Sequence, residues 1–179
     1  MSFKRHKQYR LPGYDYSAPG DYFVTICTKN RGSSFGEIHE VEGKAAMILS
    51  EIGHELKRSI LATMNIYPNV QLGIFQIMPD HVHLMLTLIP IQENTPRRVP
   101  TSITNNSTLQ PLKSGSVSSV VNHLKGSVTK WARNNQIEFC WQSRFHDHII
   151  RDSSEKKIIE NYILKNPERW FLKSKQPLY

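Results

Sequence analysis

The chain of 179 residues has only two cysteines, Cys27 and Cys140, far apart and in no recurring spacing. That excludes a disulfide framework and a zinc site made of thiolates. No apolar run reaches membrane-spanning length, and the first thirty residues lack the charged-then-apolar layout of a secretory signal. A reduced, cytoplasmic setting without a membrane partner is therefore expected. Acidic residues are scarce, 15 against 23 Lys and Arg, which leaves a net charge of +8. That imbalance favours a polyanionic partner, nucleic acid foremost. No internal repeat is visible, and 39% hydrophobic content is enough for the core of one domain spanning 1–179.

What is present centres on His81-Val82-His83, inside Met78-Pro-Asp-His-Val-His-Leu-Met-Leu86. The stretch predicts a strand over His81–Leu88, and strand side chains alternate between faces. Positions 82, 84, 86 and 88 are Val, Leu, Leu, Leu, a wall for a core. The opposite set begins with two imidazoles about 7 Å apart along the strand, near enough to converge on one divalent cation. Asp80 either orients a ligand imidazole or caps the turn after Pro79.

Around this strand the pattern predicts others. Residues 1–20 form a basic, aromatic arm with turns at Pro12-Gly13 and Pro19-Gly20. A first strand is expected over Tyr22–Thr28, with a short hairpin around Phe35–His39. Apolar residues from Met47 to Leu61 recur at helical spacing, predicting a helix over Ala45–Met64 with Gly53 as a weak point. Val70–Met78 reads as a strand pairing with His81–Leu88. Residues 91–116, rich in Pro, Ser, Thr and Asn, read as a flexible insertion. A second amphipathic helix runs from Val117 through Trp131, followed by short extended pieces at Phe139–Gln142 and His146–Arg151. Asp152 with Glu155 resembles a capping box. Its helix, from Ser153 to Lys165, is expected to stop near Asn166 because Pro167 disfavours helical geometry before it. The order fits an α+β, ferredoxin-like sandwich: a central antiparallel sheet, helices on one face, and an additional C-terminal helix.

On that last helix Tyr162 and Asn166 are four residues apart, hence one turn from each other. A phenol and a carboxamide so placed could face an ion held by His81 and His83. On spacing alone the plainer reading prevails: Tyr162 packs beside Ile158 and Ile159, and Asn166 ends the helix.

Four ordered blocks alter that balance: Gly13-Tyr-Asp-Tyr-Ser17 with Tyr22-Phe-Val-Thr-Ile-Cys-Thr28; Met78-Pro-Asp-His-Val-His83; Trp141-Gln142 with Phe145-His-Asp147 and Ile150-Arg151; and Tyr162-Ile163 with Asn166-Pro167. In these blocks the chain resembles the single-tyrosine HUH (His-hydrophobic-His) transposases, and within them the REP-associated tyrosine transposases of bacteria. The resemblance spans about residues 10–167. It implies that His81 and His83 are metal ligands, that Tyr162 is the nucleophile, and that Asn166 is a third ligand or a polar group near the ion. Relatives outside this branch have Gln at that position. The implied activity is nicking and joining of single-stranded DNA at hairpin-forming repeats, through a 5′-phosphotyrosine link and with Mg²⁺ or Mn²⁺. No carboxylate ligand is obvious, which suits one metal better than two. The resemblance leaves monomer and homodimer open, since relatives differ over exchange of the tyrosine helix.

Other residues fit DNA in this setting. Lys4, Arg5, Lys7 and Arg10 of the arm could seek phosphate, and Tyr14 beside them could stack on a base. Lys125, Lys130 and Arg133 stripe the second helix, as phosphate contacts or as a solvated face. Arg144, His146 and Arg151 flank the last extended piece. His146-Asp147-His148 is a second histidine pair, read as a DNA contact or as a polar strand face. Trp131 and Trp141 read as core. Two other functions stay open: a domesticated nucleic-acid-binding protein of the same fold that no longer cuts, and a metal-dependent hydrolase using water. A bacterial, nucleoid-associated enzyme is the expectation.

Overall fold

A computed structural model describes residues 14–90 and 113–175. The basic residues Lys4, Arg5, Lys7 and Arg10, and most of the 91–116 insertion, lie outside the described residues. The first strand, β1 (Gly20–Cys27), leads through a tight turn at Lys29–Arg31 into a hairpin, β2 (Gly36–Val41) and β3 (Lys44–Leu49). Then follow α1 (Glu51–Ile66), β4 (Val70–Met78), β5 (His81–Leu88), α2 (Val117–Asn134), β6 (His146–Ile150), α3 (Ser153–Leu164) and α4 (Asn166–Ser174).

The main sheet has the order β4-β5-β1-β6, with every neighbouring pair antiparallel. The first and last strands pair across the whole sequence, as a ferredoxin-like α+β sandwich requires. Helices α1 and α2 pack on one face over Tyr22, Val24, Ile26, Val82, Leu84 and Leu86. Their own contributions include Ile52, Leu56 and Ile60 from α1, and Val120, Leu124 and Val128 from α2. The opposite face carries His81, His83 and Met85 of β5, and α3 lies over it through Ile163.

Three expectations need correction. The helix foreseen over Ala45–Met64 begins only at Glu51, because Lys44–Leu49 pairs with Gly36–Val41 as a two-stranded sheet. Glu42 and Gly43, both at positive φ, make the turn between them. Ser50 then caps the helix, its Oγ accepting from Gly53 N at 3.1 Å. A continuous apolar run across strand and helix hid that border. Gly53 also has a packing reason: a Cβ there would stand 2.1 Å from the Phe35 carbonyl oxygen. Of the extended piece at Phe139–Gln142 only Trp141 pairs, in an isolated bridge to Thr28.

The third correction concerns the C-terminus. The chain does turn at Lys165, but a further helix, α4, starts at Asn166 with Pro167 in its first turn. Proline lacks an amide hydrogen that the first turn does not need, so it starts a helix as readily as it ends one. Helix α4 lies against the β2-β3 hairpin, and Lys175 Nζ reaches Glu40 Oε2 at 3.2 Å.

Candidate active site

Antiparallel register places Cys27 of β1 opposite His81 and Thr25 opposite His83. Both imidazoles are buried, at 6% and 4% exposure. Their ε nitrogens face each other at 3.0 Å, while the δ nitrogens are engaged outward. His81 Nδ1 lies 2.5 Å from Asp80 Oδ1, and His83 Nδ1 lies 2.9 Å from Thr25 Oγ1. Burial, followed by the nearby charges of His81 and Arg31, lowers the His83 pKa to about 3. The ring is neutral near pH 7, as a ligand must be.

Tyr162 reaches this pair from α3. Its ring centroid is 5.4 Å from that of His83 and 6.2 Å from Phe23, and Phe23 in turn is 5.2 Å from His83. The sequence offered two fates for Tyr162, apolar packing or the histidines, and the fold combines them. The ring joins a small apolar cluster with Ile159, Ile163, Met85 and Ile150, half-buried at its border with the imidazoles. Ile158 points to solvent instead.

The helix is seated by polar clasps. Asp152 Oδ1 accepts from Ser154 N at 2.8 Å and Glu155 N at 2.9 Å, the cap read from the sequence. Glu155 also accepts from Arg151 N at 2.8 Å and pairs with His148 Nε2 at 2.7 Å. Lys156 bonds Asp21 at 3.0 Å.

Asn166 is buried where α3 meets α4, and its amide nitrogen has no hydrogen-bond partner. Sequence reading missed two neighbours because it placed no helix there. Arg169 of α4 sits with Cζ 5.5 Å from the Tyr162 ring centroid, and Trp170 is 6.0 Å from His81. A helix start after Lys165, with Pro167 in its first turn, was the signal available.

These donors fit a divalent cation. Two nitrogen ligands about 2.1 Å from one ion and at right angles to each other stand about 3.0 Å apart. Outer-side partners on each δ nitrogen are what ligand histidines ordinarily have. Turned end for end, the Asn166 amide would present a carbonyl oxygen where its unpartnered nitrogen now is. Among the described residues no cluster of three His, Cys, Asp or Glu is available, so the protein would supply a sparse set and leave positions for substrate oxygens.

Comparisons with known proteins bear on the fold and on overall similarity. The chain is 34% identical over 162 residues to an uncharacterized protein of Haemophilus influenzae, covering 90% of this chain and 87% of that protein. A second protein of that organism, provisionally named a REP-associated tyrosine transposase, is 27% identical over 156 residues, covering 86% of this chain and 73% of its own length. Among solved structures, a REP-associated tyrosine transposase bound to a REP hairpin matches with a TM-score of 0.56 at 18% identity, over 93% of this chain and 74% of that one. No family model matches. The chain is similar to the REP-associated tyrosine transposases, to one in sequence and to another in fold.

The DNA-contact candidates divide between the two faces of the sheet. Thr25 pairs with both His83 and His146, so His146 stands on the histidine face two strands away. Arg144, His146 and Arg151 are all exposed around β6. Tyr14 is half-buried on the other face, its hydroxyl 3.1 Å from that of Tyr22. Lys125 donates to the carbonyls of Gln142 at 2.6 Å and Ser143 at 3.3 Å. Lys130 and Arg133 are exposed on α2, across the sheet from the histidines. Trp141 packs with Phe139 and Phe35, and Trp131 also lies against the core, as the sequence indicated.

Proposed function

We propose that the protein nicks and rejoins single-stranded DNA beside hairpin-forming repeats, with Tyr162 as nucleophile and a divalent metal at His81, His83 and Asn166. The reading rests on one observation: the Tyr162 ring lies 5.4 Å from His83, itself one of two converging, buried imidazoles of the same chain. A bound Mg²⁺ or Mn²⁺ would polarise the scissile phosphate and offset the charge that develops on it. Histidine donors make Mn²⁺ a ready substitute in vitro.

The chain's own residues do the rest. The Tyr162 oxygen, giving up its proton, attacks phosphorus in line. The bond from phosphorus to the 3′-oxygen breaks, and that oxygen leaves with the electron pair and takes a proton. The products are a 5′-phosphotyrosine and a free 3′-hydroxyl. One phosphodiester replaces another, so a new 3′-hydroxyl can reverse the step without ATP. A phenol, with a pKa near 10, is a better leaving group for that reversal than a serine alkoxide. Phe23 and Trp170 wall the site and limit water. The hairpin substrate is argued from the structural relative solved with one. In this reading the exposed Arg144, His146 and Arg151 hold flanking phosphates, and the protein acts at the nucleoid in the cytoplasm.

Replacing Tyr162 by Phe tests the reading. Cleavage of single-stranded DNA should fall at least about a thousandfold with binding within about twofold, because the phenol oxygen forms the bond while phosphate contacts carry affinity. A wild-type digest should leave a DNA adduct on Tyr162. Nicking that survives in the variant would exclude the tyrosine as nucleophile.

A further inference from the structure

The turn after β1 is more elaborate than a chain reversal needs. Asn30 and Arg31 are consecutive non-glycine residues with φ of 56° and 57°. Asparagine tolerates that left-handed backbone, whereas an arginine Cβ crowds the following carbonyl. The strained turn aims Arg31 inward. Its Nε lies 2.8 Å from Asp80 Oδ2, and a terminal nitrogen donates to Cys27 Sγ at 2.9 Å. Asp80 is buried, and its second oxygen lies 2.5 Å from His81 Nδ1. Guanidinium, carboxylate and imidazole thus form an unbroken series that ends at His81 Nε2.

The Asp80 carboxylate is not needed to hold its own turn. The Asp80 carbonyl already accepts from Thr28 N at 2.9 Å and from Thr28 Oγ1 at 3.0 Å. An ionised carboxylate only accepts, so it draws a proton to His81 Nδ1, and in the neutral ring that a metal requires this leaves Nε2 bare. Arg31 occupies the other oxygen and so fixes the plane of the carboxylate. His83 has no such constraint, because the Thr25 hydroxyl can donate or accept.

We propose that Arg31, acting through Asp80, is a positioning residue that fixes the ring and tautomer of His81 for a divalent cation. This rests on the reading that His81 and His83 hold the metal. Manganese alone, titrated calorimetrically into the full chain without DNA, tests it. Arg31 is 55% exposed, so its removal leaves no buried void. In Arg31→Gly the affinity for Mn²⁺ should fall about tenfold, the lower end of the cost of losing an outer partner of a ligand histidine, because Arg31 acts through Asp80. Glycine relaxes the left-handed turn while the buried Asp80 loses its cation, so affinity is compared at a temperature well below the melting point of each variant. Asp80→Asn should show a similar loss of affinity, Arg31→Lys a partial recovery, and Asn30→Gly none of the loss.

His81→Ala separates this proposal from the reading beneath it. Mn²⁺ binding lost in His81→Ala but kept within twofold in Arg31→Gly overturns the role of Arg31 and leaves the metal site standing. Binding kept in both overturns the two together. Affinity that falls only in step with a lowered melting temperature, without recovery in Arg31→Lys, assigns Arg31 to folding and also overturns the proposal.

Discussion

The two faces of the main sheet are made by the same strands yet have little in common. Toward α1 and α2, strand β5 presents Val82, Leu84, Leu86 and Leu88, all at 2% exposure or less. They join a continuous apolar core with Tyr22, Val24, Leu56, Ile60 and Leu124. Toward α3 the same strand presents two imidazoles and Met85. The buried apolar nucleus there, among the described residues, is Met85, Ile150 and Ile163. Around it stand a phenol, a threonine hydroxyl and a carboxylate. Burial of hydrocarbon contributes about 25 cal/mol for each Å² removed from water, so the first face supplies most of the stability. The second face is free to be chosen for chemistry because the first already specifies the fold.

A pair of substitutions should pull these roles apart. Leu84→Ala removes a fully buried side chain from the core face and should cost about 3 kcal/mol in denaturant unfolding. Cleavage per folded molecule, assayed well below the melting temperature, should be unchanged. Tyr162→Phe removes one hydroxyl from the other face and should cost about 1 kcal/mol or less, with cleavage lost. A Leu84→Ala protein that folds but cannot cut would mean that the faces are not separable.

That division also governs what could be read from the sequence. Alternation along His81–Leu88 assigned both faces of β5, because a two-residue period leaves no freedom once one face is apolar. The capped start of α3 was legible because Asp152 and Glu155 act within one turn. The border at Ser50 was not, because an apolar run serves a strand and a helix equally. Helix α4 stayed hidden behind Pro167, and Arg169 and Trp170 with it. Neither spacing nor composition could bring Arg31 to Asp80, 49 positions on; only the pairing of β1 with β5 does that. Resemblance, not periodicity, chose between the two fates of Tyr162.

Acid should act on the histidine face. Folded, His83 is held down to about 3 by burial and then by the charges of His81 and Arg31, whereas in the unfolded chain it takes up a proton near 6.5. Between those values the unfolded chain binds more protons, so stability falls as pH drops from about 6.5 toward 3 and is unaffected by this group above 6.5. Unfolding of the metal-free protein at stepped pH values should show that decline, and His83→Gln should flatten it. An unchanged slope in His83→Gln would place the acid sensitivity elsewhere.

The finest distinction concerns which cations meet DNA. Arg144 and Arg151 are exposed at the two ends of β6, whose His146 shares the histidine face, while Lys130 and Arg133 are exposed on α2 behind the sheet. All four look alike by charge, and the net +8 counts them equally. Salt dependence tells them apart, because each phosphate contact to a single strand adds about 0.7 to the slope of log affinity against log salt. Changing Arg144 and Arg151 together to Gln should lower the slope by about 1.4, and changing Lys130 and Arg133 should leave it unaltered. Bulk charge attraction without a defined path would weaken both double variants alike. A fall confined to the α2 pair would put the nucleic acid on the far side of the sheet, with the strand reaching Tyr162 around the sheet edge.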